Sequence, residues 1–127
     1  MRDEARVWIK YADENLASAR ILLAQNLLNA CLQNIQQSVE KYLKAMLVEK
    51  GQKVRKTHSV NELVSLLADL QLDMEVDDDD CDLLDAVYLP TKYPLGSALP
   101  EFEPDVALCK RCLDIAEKVE RRVKELL

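Results

Sequence analysis

Apolar residues recur along this chain at steps of three and four, the spacing of helices that bury one face. Ala5, Trp8, Ala12, Leu16, Ala19 and Leu23 predict a first helix over residues 3–25, all six facing a core, with Asn26 breaking it. Leu28, Cys31, Leu32, Ile35, Val39, Leu43, Met46 and Leu47 mark a second over residues 28–50. Gly51 closes it, because the turn that ends a helix favours a left-handed residue. Ser59-Val60-Asn61-Glu62 has the form of a capping box. In such a box the serine hydroxyl accepts from the N–H of residue 62 and the Glu62 side chain reaches back to the N–H of residue 59. Leu63, Leu66, Leu67 and Leu70 then form the stripe of a third helix that fades near residue 72.

Asp77–Asp80 and Asp82 precede Leu83, Leu84, Val87 and Tyr88, which predicts a fourth helix with carboxylates at its positive end. Those carboxylates lack the spacing and the glycine of a calcium loop, so no metal is expected there. All four prolines fall between residues 90 and 104, predicting one long loop over that stretch. A fifth helix starts at Asp105, a suitable cap, and carries Val106, Cys109, Leu113, Ala116, Val123 and Leu127 on one face. Leu108, Cys112, Ile115, Val119 and Leu126 widen that face. With Tyr11 and Leu27-Leu28, so broad an apolar surface suggests packing against a second subunit. Short connections between sequential helices give an all-α, up-and-down bundle of four or five helices, one domain over residues 1–127.

Composition agrees with this picture: half the residues are apolar and only two are glycine. No apolar run approaches the roughly 20 residues that cross a bilayer, and the amino terminus opens an amphipathic pattern, so a cytoplasmic protein is expected. The net charge of −6 is unevenly placed. Residues 1–58 hold ten Lys and Arg against six Asp and Glu, and residues 59–127 hold seven against seventeen. Such a chain is a poor non-specific ligand for nucleic acid. Its one dense basic stretch, Lys50, Lys53, Arg55 and Lys56, reads as a solvated linker, and no basic recognition helix follows a short turn. Cys31, Cys81, Cys109 and Cys112 are expected as reduced core thiols. Cys109 and Cys112 form a CxxC, but inside a helix and without a second pair to complete a zinc site.

Four segments in order carry a resemblance. Trp8…Ala12…Leu16…Ala19, then Gln36-Gln37-Ser38-Val39-Glu40-Lys41-Tyr42-Leu43-Lys44-Ala45, then Lys56-Thr57-His58-Ser59…Leu63, then Tyr88…Lys92-Tyr93-Pro94 together resemble a HEPN domain. The resemblance spans essentially the whole chain. It implies a small helical bundle, like the substrate-binding subunit of a nucleotidyltransferase, that dimerises and works beside a minimal nucleotidyltransferase. It also implies nucleotide binding and, in some branches, a toxin that cuts RNA and is restrained by that partner.

The RNA-cutting branches use an Arg, four to six intervening residues and a His in the later half of the domain. There Arg stabilises charge on the scissile phosphate and His moves the 2′-hydroxyl proton. This chain departs from that pattern. Its one histidine, His58, lies in the earlier half, and Lys53, Gln52 and Gly51 hold the positions where the Arg would stand. Arg55 is too close, and the later segment has Lys92 and no histidine. No catalytic residue and no cofactor is therefore assigned, and RNA is the weaker partner.

What remains is a candidate ligand surface of Lys41, Lys44, Lys56, His58, Tyr88, Lys92 and Tyr93, with cations for a phosphate and rings to stack on a base. Taken singly, Lys41 and Lys44 also fit a solvated helix edge, with Glu40 and Lys44 as an i,i+4 ion pair worth about 0.3–0.5 kcal/mol. A ribonuclease with an atypical site around His58 is the alternative.

Overall fold

The computed structural model describes residues 1–92 and 103–127, apart from the side chains of residues 89–92, and shows five helices and no strand among them. These are α1 (Asp3–Ala24), α2 (Leu28–Glu49), α3 (Val60–Asp69), α4 (Asp78–Lys92) and α5 (Val106–Leu126). The central element is α2, which packs against each of the other four. Its apolar stripe from Cys31 to Leu47 is buried as the periodicity predicts, and Leu16, Leu63, Leu67, Leu84, Ile115 and Val119 close around it.

One device ends three of the helices. Asn26, Gly51 and Gln71 adopt φ values of 59°, 80° and 65°, and each N–H bonds a carbonyl three residues back. The next residue reaches five back, as in Leu27 to Leu22, Gln52 to Leu47 and Leu72 to Leu67. This pair of bonds satisfies carbonyls that a helix end leaves open, and the left-handed residue makes it possible.

Other expectations are corrected. Trp8 is half-buried at the edge of the α1 stripe and is not a core residue; small Ala5, Ala12 and Ala19 let α1 lie close to α2 and leave the indole at the rim. Ser59 accepts from the N–H of Glu62 at 3.1 Å, but the return bond of a capping box is absent, because the Ser59 N–H donates to Thr57 Oγ1 instead. The fourth helix runs past Pro90 to Lys92, since proline's fixed φ suits a helix and only one N–H is lost near its end. Residues 93–102 of the expected loop lie outside the described residues.

Most of the broad face of α5 is absorbed by the bundle: Cys109, Cys112, Ile115, Ala116, Val119 and Val123 are buried, while Val106 and Leu127 at its two ends stay exposed. Exposed apolar side chains gather instead on and after α1, where Val7, Tyr11, Ile21 and Leu27 are about half or more exposed. All four cysteines are free and buried. Asp77 Oδ1 accepts from the N–H of Asp80 at 2.8 Å and Asp105 Oδ1 from that of Leu108 at 2.7 Å, so both expected acidic helix starts act as caps. Among the described residues no helix is long and apolar enough to cross a membrane.

Candidate functional site

A polar stripe runs along the otherwise apolar α2. Gln33, Gln36, Gln37, Glu40, Lys41 and Lys44 recur at steps of three and four, which places them on one side of the helix. Gln36, Glu40 and Lys44 are buried, and the other three are half-buried. Opposite the stripe stand His58, just before α3, and Tyr88 of α4, their rings stacked with centroids 5.2 Å apart and planes 19° off parallel. Gln33, Gln36, Gln37, Glu40, Lys41, His58 and Tyr88 line a partly open cavity of about 160 Å³.

Glu40 holds the His58 ring and Gln36 its backbone. Glu40 Oε1 and Oε2 lie 3.0 and 3.2 Å from His58 Nδ1, and Gln36 Nε2 donates to the His58 carbonyl at 3.0 Å. The following residues are anchored from α4, where Asp85 accepts from the Ser59 hydroxyl, the N–H groups of Val60 and Asn61, and the Asn61 side chain at 2.7–3.1 Å. One carboxylate thus ties the start of α3 to α4 and sets where His58 meets Tyr88. Glu40 is shared: Lys44 Nζ donates to Oε1 at 2.7 Å and also lies 5.9 Å from the centre of the Trp8 ring. Lys41 Nζ donates to Asn15 Oδ1 at 2.6 Å. Its pKa is lowered, chiefly because burial disfavours the charged form, with the carboxylates of Glu40 and Glu14 opposing.

Three of the seven sequence candidates, Lys41, His58 and Tyr88, therefore meet in one cavity. Lys44 stands behind it, joined through Glu40, and its charge is held by that carboxylate and not offered to a ligand. Lys56 is exposed and does not line the cavity. The Lys92 side chain and Tyr93 lie outside the described residues. Gln33, Gln36, Gln37 and Glu40, which line the same cavity, were not among the sequence candidates. Their signal was available, because amides and a carboxylate at core-facing spacing have no packing reason to be there.

A second polar group closes the far side of α2. The hydroxyl of buried Tyr42 donates to Asp13, Lys124 Nζ donates to Asp13 at 3.1 Å, and Arg20 pairs with Glu117 at 2.8 Å. These contacts join α1, α2 and α5 and make Tyr42 a core anchor, apart from the cavity.

The site can accept, donate, stack and hold an imidazole in one orientation. Among the described residues that line it there is no arginine, and the one ammonium, on Lys41, is already bonded to a neutral amide.

The sequence matches the model of the HEPN domain over residues 5–126. In fold the chain is similar to TT1696 from Thermus thermophilus, with 32% identity, a TM-score of 0.80, and 99% of this chain and 100% of that one covered. It is also similar to ST0689, an archaeal HEPN homologue, with 24% identity, a TM-score of 0.72, and 99% and 98% covered. No curated protein matches. With the HEPN model spanning nearly its whole length, and five helices arranged as in these structures, the chain belongs to the HEPN domain family.

Proposed function

We propose that this HEPN domain is a binding and interaction module and not an enzyme. It forms a homodimer, pairs with a minimal nucleotidyltransferase in a toxin–antitoxin type of system, and presents that partner with a nucleotide or other phosphorylated ligand. The observation that carries the reading is the cavity in which the α2 amides and Lys41 face the stacked rings of His58 and Tyr88. Aromatic faces tolerate any base, and amides read base edges. Val7 and Tyr11, one turn apart on α1 and each about half exposed, support a docking face for a second chain. The test is co-expression with a minimal nucleotidyltransferase of the same genome, followed by calorimetry with nucleotides. Co-purification and a Tyr88→Leu variant with weakened binding are expected; separate elution and no heat with any nucleotide would sink the reading.

A ribonuclease is the second reading, and one observation favours it. Glu40 holds His58 Nδ1, which leaves Nε2 as the nitrogen to take a proton, the arrangement of an oriented general base. RNA cleaved by the wild type and spared by His58→Ala would establish it; cleavage equal in both would remove it.

A further inference from the structure

The amide of Gln36 poses a specific question. Its Nε2 is fixed on the His58 carbonyl, so the amide cannot turn over, and its Oε1 is buried with no hydrogen-bond partner among the described residues. Gln36 is only 1% exposed and lines the cavity. Buried acceptors are almost always paired, and one left unpaired in a residue that lines a cavity calls for a donor from outside the chain, a water or a ligand.

Phosphate is a poor candidate for that space. Glu40 puts a carboxylate in the cavity wall, and Lys41 is the one lining ammonium among the described residues. A helix start is the usual alternative anion site, but the start of α3 beside His58 is already filled. Asp85 takes the N–H groups of Val60 and Asn61, Ser59 Oγ takes that of Glu62, and the Ser59 carbonyl takes that of Leu63. At about 160 Å³ the cavity is also smaller than the roughly 300–1,000 Å³ of a site that encloses a whole ligand of drug size. It fits one flat, uncharged part of a larger molecule.

We infer that the cavity takes the base of a nucleotide, a base bearing an exocyclic amino group that donates to Gln36 Oε1, while the phosphates remain outside. This rests on the nucleotide-binding reading above and deepens it. The base lies along the His58–Tyr88 stack, and Gln33 and Gln37 supply the remaining donors and acceptors of its edge. Held by the base, a nucleotide leaves its phosphates open to a second protein.

The test is calorimetry on the wild-type protein with matched nucleosides: adenosine against purine riboside, guanosine against inosine, and cytidine against uridine. In at least one pair the amino-bearing member should bind about tenfold tighter or more. Adding a 5′-phosphate to it should change affinity by less than about threefold, and inorganic phosphate should give no heat. Gln36→Leu should erase the difference within the pair, with circular dichroism confirming its fold. Because Gln36 is buried, the wild-type comparison decides even if that variant unfolds. Equal binding within every pair would overturn the inference, as would nucleotides binding where nucleosides do not; both outcomes leave a nucleotide-binding module standing. No binding by any nucleoside or nucleotide would overturn the inference and that part of the proposed function together.

Discussion

Glu40 and Lys44 form a 2.7 Å ion pair one turn apart on α2, with side chains only 11% and 6% exposed. In water such a pair contributes a few tenths of a kcal/mol. Withdrawn from water, each charge depends on the other, and removing one strands its partner. Lys44→Met should therefore destabilise the protein by about 3 kcal/mol, and adding Glu40→Gln should recover part of that loss. Urea unfolding measures both; a loss under about 1 kcal/mol would mean that the carboxylate is adequately served by His58 and solvent.

Asp85 receives two backbone N–H groups, a hydroxyl and an amide from the start of α3. Asp85→Ala leaves those donors half-buried without their acceptor and should cost about 2–3 kcal/mol. Because the same contacts place His58, the imidazole proton resonances should also move. A variant that melts lower with unchanged His58 signals would show that Asp85 supports the bundle without shaping the cavity.

Gln71 holds a φ of 65° that glycine adopts freely. Gln71→Gly should stabilise by about 0.5–1 kcal/mol, and Asn26→Gly by less, because asparagine already tolerates this region. Gly51→Ala should do the reverse, its φ being 80° and a methyl meeting the Arg2 guanidinium at 3.2 Å. Thermal melts of the three variants check the order; a more stable Gly51→Ala would contradict it.

Burial pushes the Cys81 thiol up to about 11 and the Cys109 and Cys112 thiols up to about 12, from an ordinary 9.0. The Tyr42 hydroxyl is raised too, first by burial and then by its bond to Asp13. The folded state holds these protons more tightly than the unfolded chain. Their contribution is complete below about pH 9 and is lost as pH rises from there toward 12. The melting temperature should be flat from about pH 7 to 8.5 and fall above about pH 9, and thiol reagents should label the native protein slowly near neutrality. Rapid labelling of the folded chain would show that the core opens around α5.

The helices were legible because each obeys a simple rule: apolar steps of three and four, capping side chains at Ser59 and Asp105, a glycine after α2. Trp8 was misplaced because periodicity gives the side of a helix and not the depth, and the alanines around it decide how closely α1 approaches. Glu62 failed to close its box because Thr57, two residues before Ser59, competes for the same N–H. In the site, local pattern revealed Lys41, His58 and Tyr88 as unusual. What their neighbours do was hidden, because Glu40 meets His58 across 18 residues and Asp85 reaches Val60 across 25. No window along the chain contains those distances.

The stripe on α2 holds two kinds of position. Gln36, Glu40 and Lys44 are sealed in the bundle, so replacing any of them disturbs the helix that every other helix leans on. Gln33, Gln37 and Lys41 face the same cavity from half-exposed ground. Under the proposed binding role, ligand preference can therefore drift, or be re-engineered, at those three while the scaffold stays intact.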